Sequence, residues 1–290
     1  MTGMEGYLIL MLLASIGAGV LGALVGIGGG ILITPILTVG FGVSVQYAIG
    51  ASIIAVIGTS SGAASAFVKD RISNFNIGTL LNVGTTIGAV LGAVLSIYLI
   101  GGGWKWVIYI AFGGIMLFSA YDMYLKLRSE RRHSAIEANL APNSLADKLD
   151  LKGSYYDSAL KQKVSYVATS VPKGIGVMFC AGMLSGLLGI GSGALNGLCM
   201  DGCMKLPFKV STTTSNFMIG VTAAASAAIY FLNGYVNLLI VGPVAVGIVI
   251  GAFVGARFAV RSKPSYLRVI FILVLVETGI NMLQKGIGLL

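Results

Sequence analysis

The sequence predicts an all-α polytopic membrane protein built as two inverted structural repeats, each a glycine-broken helical hairpin followed by three transmembrane helices. Three observations carry that prediction. Hydrophobic residues make up 56% of the 290-residue chain and charged ones 10%, with a mean hydropathy of +0.92, far from the balance of a soluble domain. Apolar runs of about 20 residues, each long enough to cross a bilayer core of roughly 30 Å, recur almost end to end. The chain also contains itself twice: Gly26-Ile27-Gly28-Gly29-Gly30-Ile31-Leu32 returns as Gly189-Ile190-Gly191-Ser192-Gly193-Ala194-Leu195, displaced by 163 positions from 26 to 189.

Taken in order, the spans are expected at 5–25, 46–68, 77–100 and 104–126, and again at 171–188, 210–232, 237–257 and 268–288. After the first span of each set comes the glycine break and then a short apolar segment, 31–40 and 194–204, too short to cross alone unless the bilayer thins. The register of the repeat holds without a gap from Ser52 onto Ser215, Thr59 onto Thr222, Asn74 onto Asn237, and Gly88-Ala89 with Gly92-Ala93 onto Gly251-Ala252 with Gly255-Ala256. The chain therefore divides into a first transmembrane repeat (1–127), a linker (128–166) and a second repeat (167–290). The opening residues carry Glu5 and no Lys or Arg before an apolar run that flows into the first break, so no cleaved signal peptide is expected.

Orientation follows from the basic residues, because cytoplasmic loops are enriched in Lys and Arg. If each break makes a hairpin whose limbs start and end on one side, all but Lys105 and Lys285 of the 19 Lys and Arg residues face the cytoplasm. A single crossing at the second break would instead carry Lys205, Lys209, Arg257, Arg261, Lys263 and Arg268 outside. The hairpin reading prevails, the linker is cytoplasmic, and the two halves run in opposite senses. The net charge of +9 then reads as orientation within a cell membrane and contact with membrane lipid, with no nucleic-acid partner. The linker holds half of the acidic residues, with Pro142 and Gly153 as breakers. It reads as a connector with some amphipathic helix, or as a site for partner docking or regulation.

In inverted-repeat transporters the substrate sits near the midplane, where discontinuous helices meet. Glycine at a helix break leaves backbone N–H groups free and lets a ligand approach the main chain, and two helix N-termini aimed at the midplane offer positive partial charge without Lys or Arg. The candidate substrate-binding residues are Gly28, Gly29 and Gly30 in the first break and Gly191, Ser192 and Gly193 in the second. Ser52, Ser215 and Asn216 supply hydrogen-bonding side chains from the spans that follow, and Asn196 lies in the first turn after Gly193. Back-bonding of hydroxyls to helix carbonyls is the structural alternative. The pairs Gly88 with Gly92 and Gly251 with Gly255 read as close helix packing.

Intramembrane acids mark ion or proton routes by default. Asp201 and Glu277 are the candidates for proton coupling, an inner-edge ion pair close to Lys205 being the alternative for Asp201, while Asp122 reads as an interfacial pair with Lys126. The three cysteines, Cys180, Cys199 and Cys203, form no disulfide framework. Cys199 and Cys203 are one helical turn apart and suit a soft metal, but the one histidine, His133, falls in the linker, so no metal site is expected. With that histidine outside the membrane no Ser-His-Asp or Cys-His set can be assembled, and no phosphate-binding G-x-x-x-x-G-K-(Ser/Thr) loop is present. The chain is not expected to be an enzyme or to carry a cofactor.

The run Gly26 to Gly30, the following Pro35, the span with Ala48 to Ser52, the small residues leading to Gly88 and Gly92, and the second copy ending in Gly255-Ala256-Arg257 resemble the sulfite exporter TauE/SafE family, also called the toluene sulfonate uptake permease family. The resemblance runs from about Gly17 to Lys263. It implies two homologous halves and movement of sulfur-containing anions such as sulfite and organosulfonates. The second copy departs from the first: Leu198 stands where Pro35 does, and Ser192 where Gly29 does. Helix ends with hydroxyls and amides suit a small oxyanion. Arg257, if it faced inward, would attract anions from the cytoplasm; otherwise it snorkels to lipid headgroups.

The sequence thus points to a secondary transporter for a small sulfur-containing anion (sulfite, thiosulfate or an organosulfonate), driven by a proton gradient or the membrane potential through alternating access of two halves. Two other readings remain open: a cation or soft-metal permease using Cys199, Asp201 and Cys203, and a membrane scaffold whose linker recruits a partner.

Overall fold

The computed structural model describes residues 2–25, 28–67, 74–130, 149, 151–157, 162–261 and 265–289. The first half contains α1 (Thr2–Val25), the short α2 (Gly30–Pro35) continued by a π-helical turn (Ile36–Gly40), α3 (Val45–Phe67), α4 (Phe75–Gly101) and α5 (Lys105–Glu130). A two-stranded antiparallel hairpin follows, β1 (Lys152–Asp157) with β2 (Gln162–Val167), pairing Lys152 with Val167 and Asp157 with Gln162. The second half contains α6 (Val171–Leu188), the short α7 (Gly193–Leu198) with its π-helical turn (Cys199–Cys203), α8 (Phe208–Leu232), α9 (Leu238–Arg261) and α10 (Ser265–Ile287). Both short limbs match residue for residue under the 163-position offset, from the first helical glycine to the last π-helical residue.

Eight of the described helices are long and apolar enough to cross a membrane. Helix is the form that satisfies its own backbone in lipid, and the local signals agree. Asn74 caps α4, its side chain accepting from the Ile77 N–H at 3.1 Å, and α6 carries a proline in its first turn. The interior is apolar, as in a soluble domain, and the exterior is apolar as well. Large apolar side chains such as Leu10, Leu13, Val83, Ile87, Leu273 and Ile280 cover the exterior, while hydroxyls of Ser15, Thr38, Ser52, Thr85 and Ser226 are buried.

Glycine decides which helices touch. On α9, a Cβ at Gly247, Gly251 or Gly255 would overlap the carbonyl oxygens of Leu12, Ile16 and Val20 on α1. On α4, Gly88 and Gly92 lie against the carbonyls of Phe179 and Met183 on α6, and Gly182 and Gly186 of α6 return the contact to Thr85 and Ala89. These are membrane helix crossings made by small residues four apart, as expected for both glycine pairs. Partner numbers climb together, so α1 runs parallel to α9 and α4 parallel to α6.

The remaining contacts extend this pattern. Gly58 and Gly62 of α3 face Val249 and Ala252 of α9, and Gly78 and Asn82 of α4 face Thr214 and Thr222 of α8, again in parallel. In contrast α3 and α8 run antiparallel, with Ser60 meeting Asn216 while Gly50 meets Tyr235. So do α5 and α10, where Gly113 meets Gly279 and Leu283 while Gly286 meets Ile110. It follows that α1 and α3 share one direction and that α6 and α8 share the opposite one. The chain between each pair must therefore double back.

The hairpin occupies the stretch read as a linker with amphipathic helix; residues 131–148 of that stretch lie outside the described residues. Leu151, Tyr155, Tyr166 and Ala168 are buried in one apolar cluster with Ile77, Leu81, Met200, Met204 and Met218, so this end of the linker packs onto α4, α8 and the second short limb. Thr169 donates to the Met204 carbonyl from both its N–H (3.1 Å) and its Oγ1 (3.0 Å).

Candidate functional site

The two breaks have one backbone design. Gly28 (φ 86°) and Gly191 (φ 71°), equivalent under the offset, occupy the left-handed region that glycine adopts without a Cβ penalty. The next residue, Gly29 or Ser192, caps its short helix without a side-chain hydrogen bond to the cap. Helical bonding leaves first-turn N–H groups without intrahelical i−4 partners; in the first break the Leu32 N–H is taken by the Gly29 carbonyl at 3.2 Å, and the N–H groups before it in the turn are the donors that break can present. The breaks also touch. A Cβ on Gly30 would meet Val56 and the Ile190 carbonyl, and one on Gly191 would meet Val56 and Ile219. Ser52 lies between them, its Oγ 2.8 Å from the Gly30 carbonyl oxygen and 2.7 Å from that of Gly189.

Side chains separate the two breaks. Ser52 is fully buried, and its single proton is committed to one or other of those carbonyls, so it is a strut between the breaks. Gly29 is lodged against the Ala18 carbonyl, Gly19 and the Ile248 side chain, whereas open space surrounds the Cβ direction of Gly28. In the second break Ser192 and Asn196 are wholly buried, and neither the Ser192 hydroxyl nor either polar atom of the Asn196 side chain has a hydrogen-bond partner. The Ser215 hydroxyl, 1% exposed, has none either. Ser215 lies one turn before Ile219, the residue in contact with Gly191, so both face the break from one side of α8. Gly30 and Gly193, each buried, open the two short helices. Asn216 is buried and its carbonyl accepts from the Ser60 hydroxyl.

Residues 11–282 match the sulfite exporter TauE/SafE family. The chain belongs to that family. It is 28% identical over 288 residues to the probable membrane transporter protein YunE of Bacillus subtilis, covering 97% of this chain and 98% of that one. It is 26% identical over 296 residues to a probable membrane transporter protein of Methanocaldococcus jannaschii, covering 96% and 97%. No solved structure matches it. Family, relatives and spans together make this TauE/SafE chain a multi-pass protein of the cell membrane.

The other polar residues of this TauE/SafE protein lie away from the breaks. Asp201 is half-buried in the π-helical turn beyond α7, and Glu277 is exposed at the middle of α10. The Cys199 thiol is buried 3.4 Å from the Gly174 carbonyl, Cys203 is half-buried, and among the described residues no three His, Cys, Asp or Glu side chains gather as metal ligands. Arg257 is exposed, its guanidinium 4.6 Å from the centre of the Phe253 ring. Lys285 donates to the Thr38 carbonyl at 2.6 Å, placing a cation where the first short limb ends, the favourable end of the helix dipole. Asp122 is half-buried; Lys126's side chain and His133 lie outside the described residues.

Among the buried polar residues that the sequence did not single out, one joins two long helices from opposite halves. Asn82 of α4 accepts from Thr222 (3.1 Å) and Thr85 (3.4 Å), joining α4 to α8 beside the second limb. Its repeat equivalent is Ala245, so self-comparison gave no signal; a lone asparagine within an apolar span was the available one.

Proposed function

We propose that this family member is a secondary transporter that carries a small sulfur-containing anion, sulfite, thiosulfate or an organosulfonate, across the cell membrane by alternating access, with the linker on the cytoplasmic side. The observation that carries the reading is the meeting of two equivalent glycine breaks deep in the bundle, with buried neutral donors beside them and no Lys or Arg among the described residues at that place. Such a site binds anions through N–H and O–H dipoles. Those dipoles act strongly in a low-dielectric interior because water does not compete. The opposed directions of α1 with α3 and of α6 with α8 support an inverted pair of repeats, whose pseudo-two-fold axis passes between the breaks.

The contacts also support a particular division of moving bodies. Glycine crossings bind α1 to α9 and α4 to α6, each joining one helix from either repeat. The bodies that rock are therefore interleaved, α1 with α9 and α3 against α6 with α4 and α8, and α3 slides on α8 at their shared boundary. A proton gradient or the membrane potential supplies the drive. Asp201, in the limb that starts at the second break, is the proton carrier we favour over Glu277, which points away from the bundle.

Counterflow in liposomes tests the reading, with labelled sulfite, sulfate, thiosulfate, methanesulfonate, chloride and a divalent metal. Exchange of the sulfur anions and not of chloride or metal is expected. Metal flux alone would move the function to the cysteine limb.

A further inference from the structure

We infer that the chain holds one oxyanion at a time, at the second break alone, and that the anion is singly charged and carries a proton of its own, as hydrogen sulfite does. This rests on the anion-transport reading above and adds which half binds and in what protonation state. The argument begins with three positions compared across the repeat. Ser192 corresponds to Gly29, Asn196 to Ile33 and Ser215 to Ser52. The second half therefore has three polar side chains where the first has a glycine, an isoleucine and a serine already bonded to backbone carbonyls. A single side-chain hydroxyl, Thr34, is unpartnered on the first short helix, so the first break sets one such side chain beside its backbone where the second sets three.

A buried polar atom without a partner costs about 1–3 kcal/mol, and native interiors retain few. Here four such atoms belong to three residues of one region: both oxygens of Ser192 and Ser215, and the amide oxygen and nitrogen of Asn196. Ser192 and Asn196 stand one helical turn apart on the same face of the limb, and α8 brings Ser215 to the same break through Ile219. Their inventory is specific. The two hydroxyls and the amide NH₂ donate to anionic oxygens, but the Asn196 Oδ1 only accepts. A ligand that satisfies the set must offer several acceptor oxygens and one O–H. A monoanion also fits the charge balance, because desolvating a dianion with no cation beside it costs far more.

Hydrogen sulfite and methanesulfonate provide the test. Both are monoanions in mildly acid solution, of similar size, and only the first has an O–H. Titration calorimetry on the intact protein in nanodiscs is expected to give one site per chain and at least tenfold tighter binding of hydrogen sulfite. In Asn196→Leu that preference should collapse to within about twofold, since the O–H loses its acceptor. Ser215→Ala should weaken both ligands, and Ser52→Ala should leave both affinities within twofold while lowering the melting temperature. Two sites per chain, equal affinities in the wild type, or an undiminished preference in folded Asn196→Leu would each overturn the inference while leaving anion transport standing. If the protein binds neither anion, nor thiosulfate, the transport reading itself falls and takes this one with it.

Discussion

The two glycine breaks share a backbone and differ in what surrounds it. In the first, the residue before the helix is Gly29, packed against α1; the side chain one turn in is Ile33, fully buried; and the hydroxyl of the following span, on Ser52, is engaged by two carbonyls. In the second the same positions leave Ser192, Asn196 and Ser215 without partners. The far ends differ as well. The first limb is held by Lys285 on the Thr38 carbonyl and by the Tyr7 hydroxyl on that of Phe41. The second is held by Thr169 on the carbonyl of Met204, the equivalent of Phe41, with the β-hairpin packed beside it. The two copies share the geometry that doubles the chain back and differ in their polar side chains at these positions: those of the first are bonded within the protein or replaced by apolar groups, and those of the second are buried without partners.

The largest effects should come from the crossings that support both breaks equally. Leucine at Gly92 must displace the Met183 backbone, and leucine at Gly251 the Ile16 backbone. Overpacking against flexible neighbours costs about 1–3 kcal/mol, and a rigid backbone yields less than a side chain does. Neither variant should give a monodisperse peak on size exclusion. Gly114→Leu, on an open face of α5, should behave as wild type. If one of the two crossings tolerated leucine, the breaks would not be equally supported and the comparison would have to be redrawn.

A smaller effect separates the equivalent serines. Ser52→Ala removes the one buried hydroxyl proton shared between the Gly30 and Gly189 carbonyls and should lower stability by about 1–3 kcal/mol. Ser215→Ala removes a hydroxyl that bonds to nothing in the protein, so the melting temperature of the ligand-free protein should hold or rise. Equal losses in thermal unfolding would mean that Ser215 is bonded in the ligand-free protein and would remove the contrast between the halves.

How much of this was legible in the sequence can be judged from particular residues. The spans, the breaks and the glycine crossings are properties of spacing and periodicity, which the chain displays in its own order; the opposed directions of the halves were an expectation from the placement of Lys and Arg. The role of Ser52 was not legible, because one of its partners, Gly189, is 137 positions away and a hydroxyl reads the same whether free or spent. Glu277 and Asp201 read alike as intramembrane acids, and only packing separated the exposed one from the half-buried one. The hairpin was hidden by charge: Tyr155, Tyr156, Val164, Tyr166 and Val167 are strand-forming residues, but they sit among lysines in a stretch whose composition reads as a connector.

The smallest effect concerns that hairpin and whether it distinguishes the second limb from the first. Burial raises the Tyr166 phenol above its ordinary value of 10.0, and the hydrogen bond with Asn74 pulls weakly the other way. A raised value means that the docked hairpin favours the neutral phenol. The contribution is therefore complete below the ordinary value and is lost as the pH climbs through the raised one. Amide exchange read across the alkaline range should show β1 and β2 losing protection before α4 and α8 do. Tyr166→Phe keeps the ring buried and has no proton to lose, so its hairpin should start weaker by about 0.5–1.5 kcal/mol and show no such loss with pH. The same alkaline loss in the phenylalanine variant would assign it to another group. An α2 limb that loosened along with the hairpin would show that both limbs respond to one clamp, not each to its own.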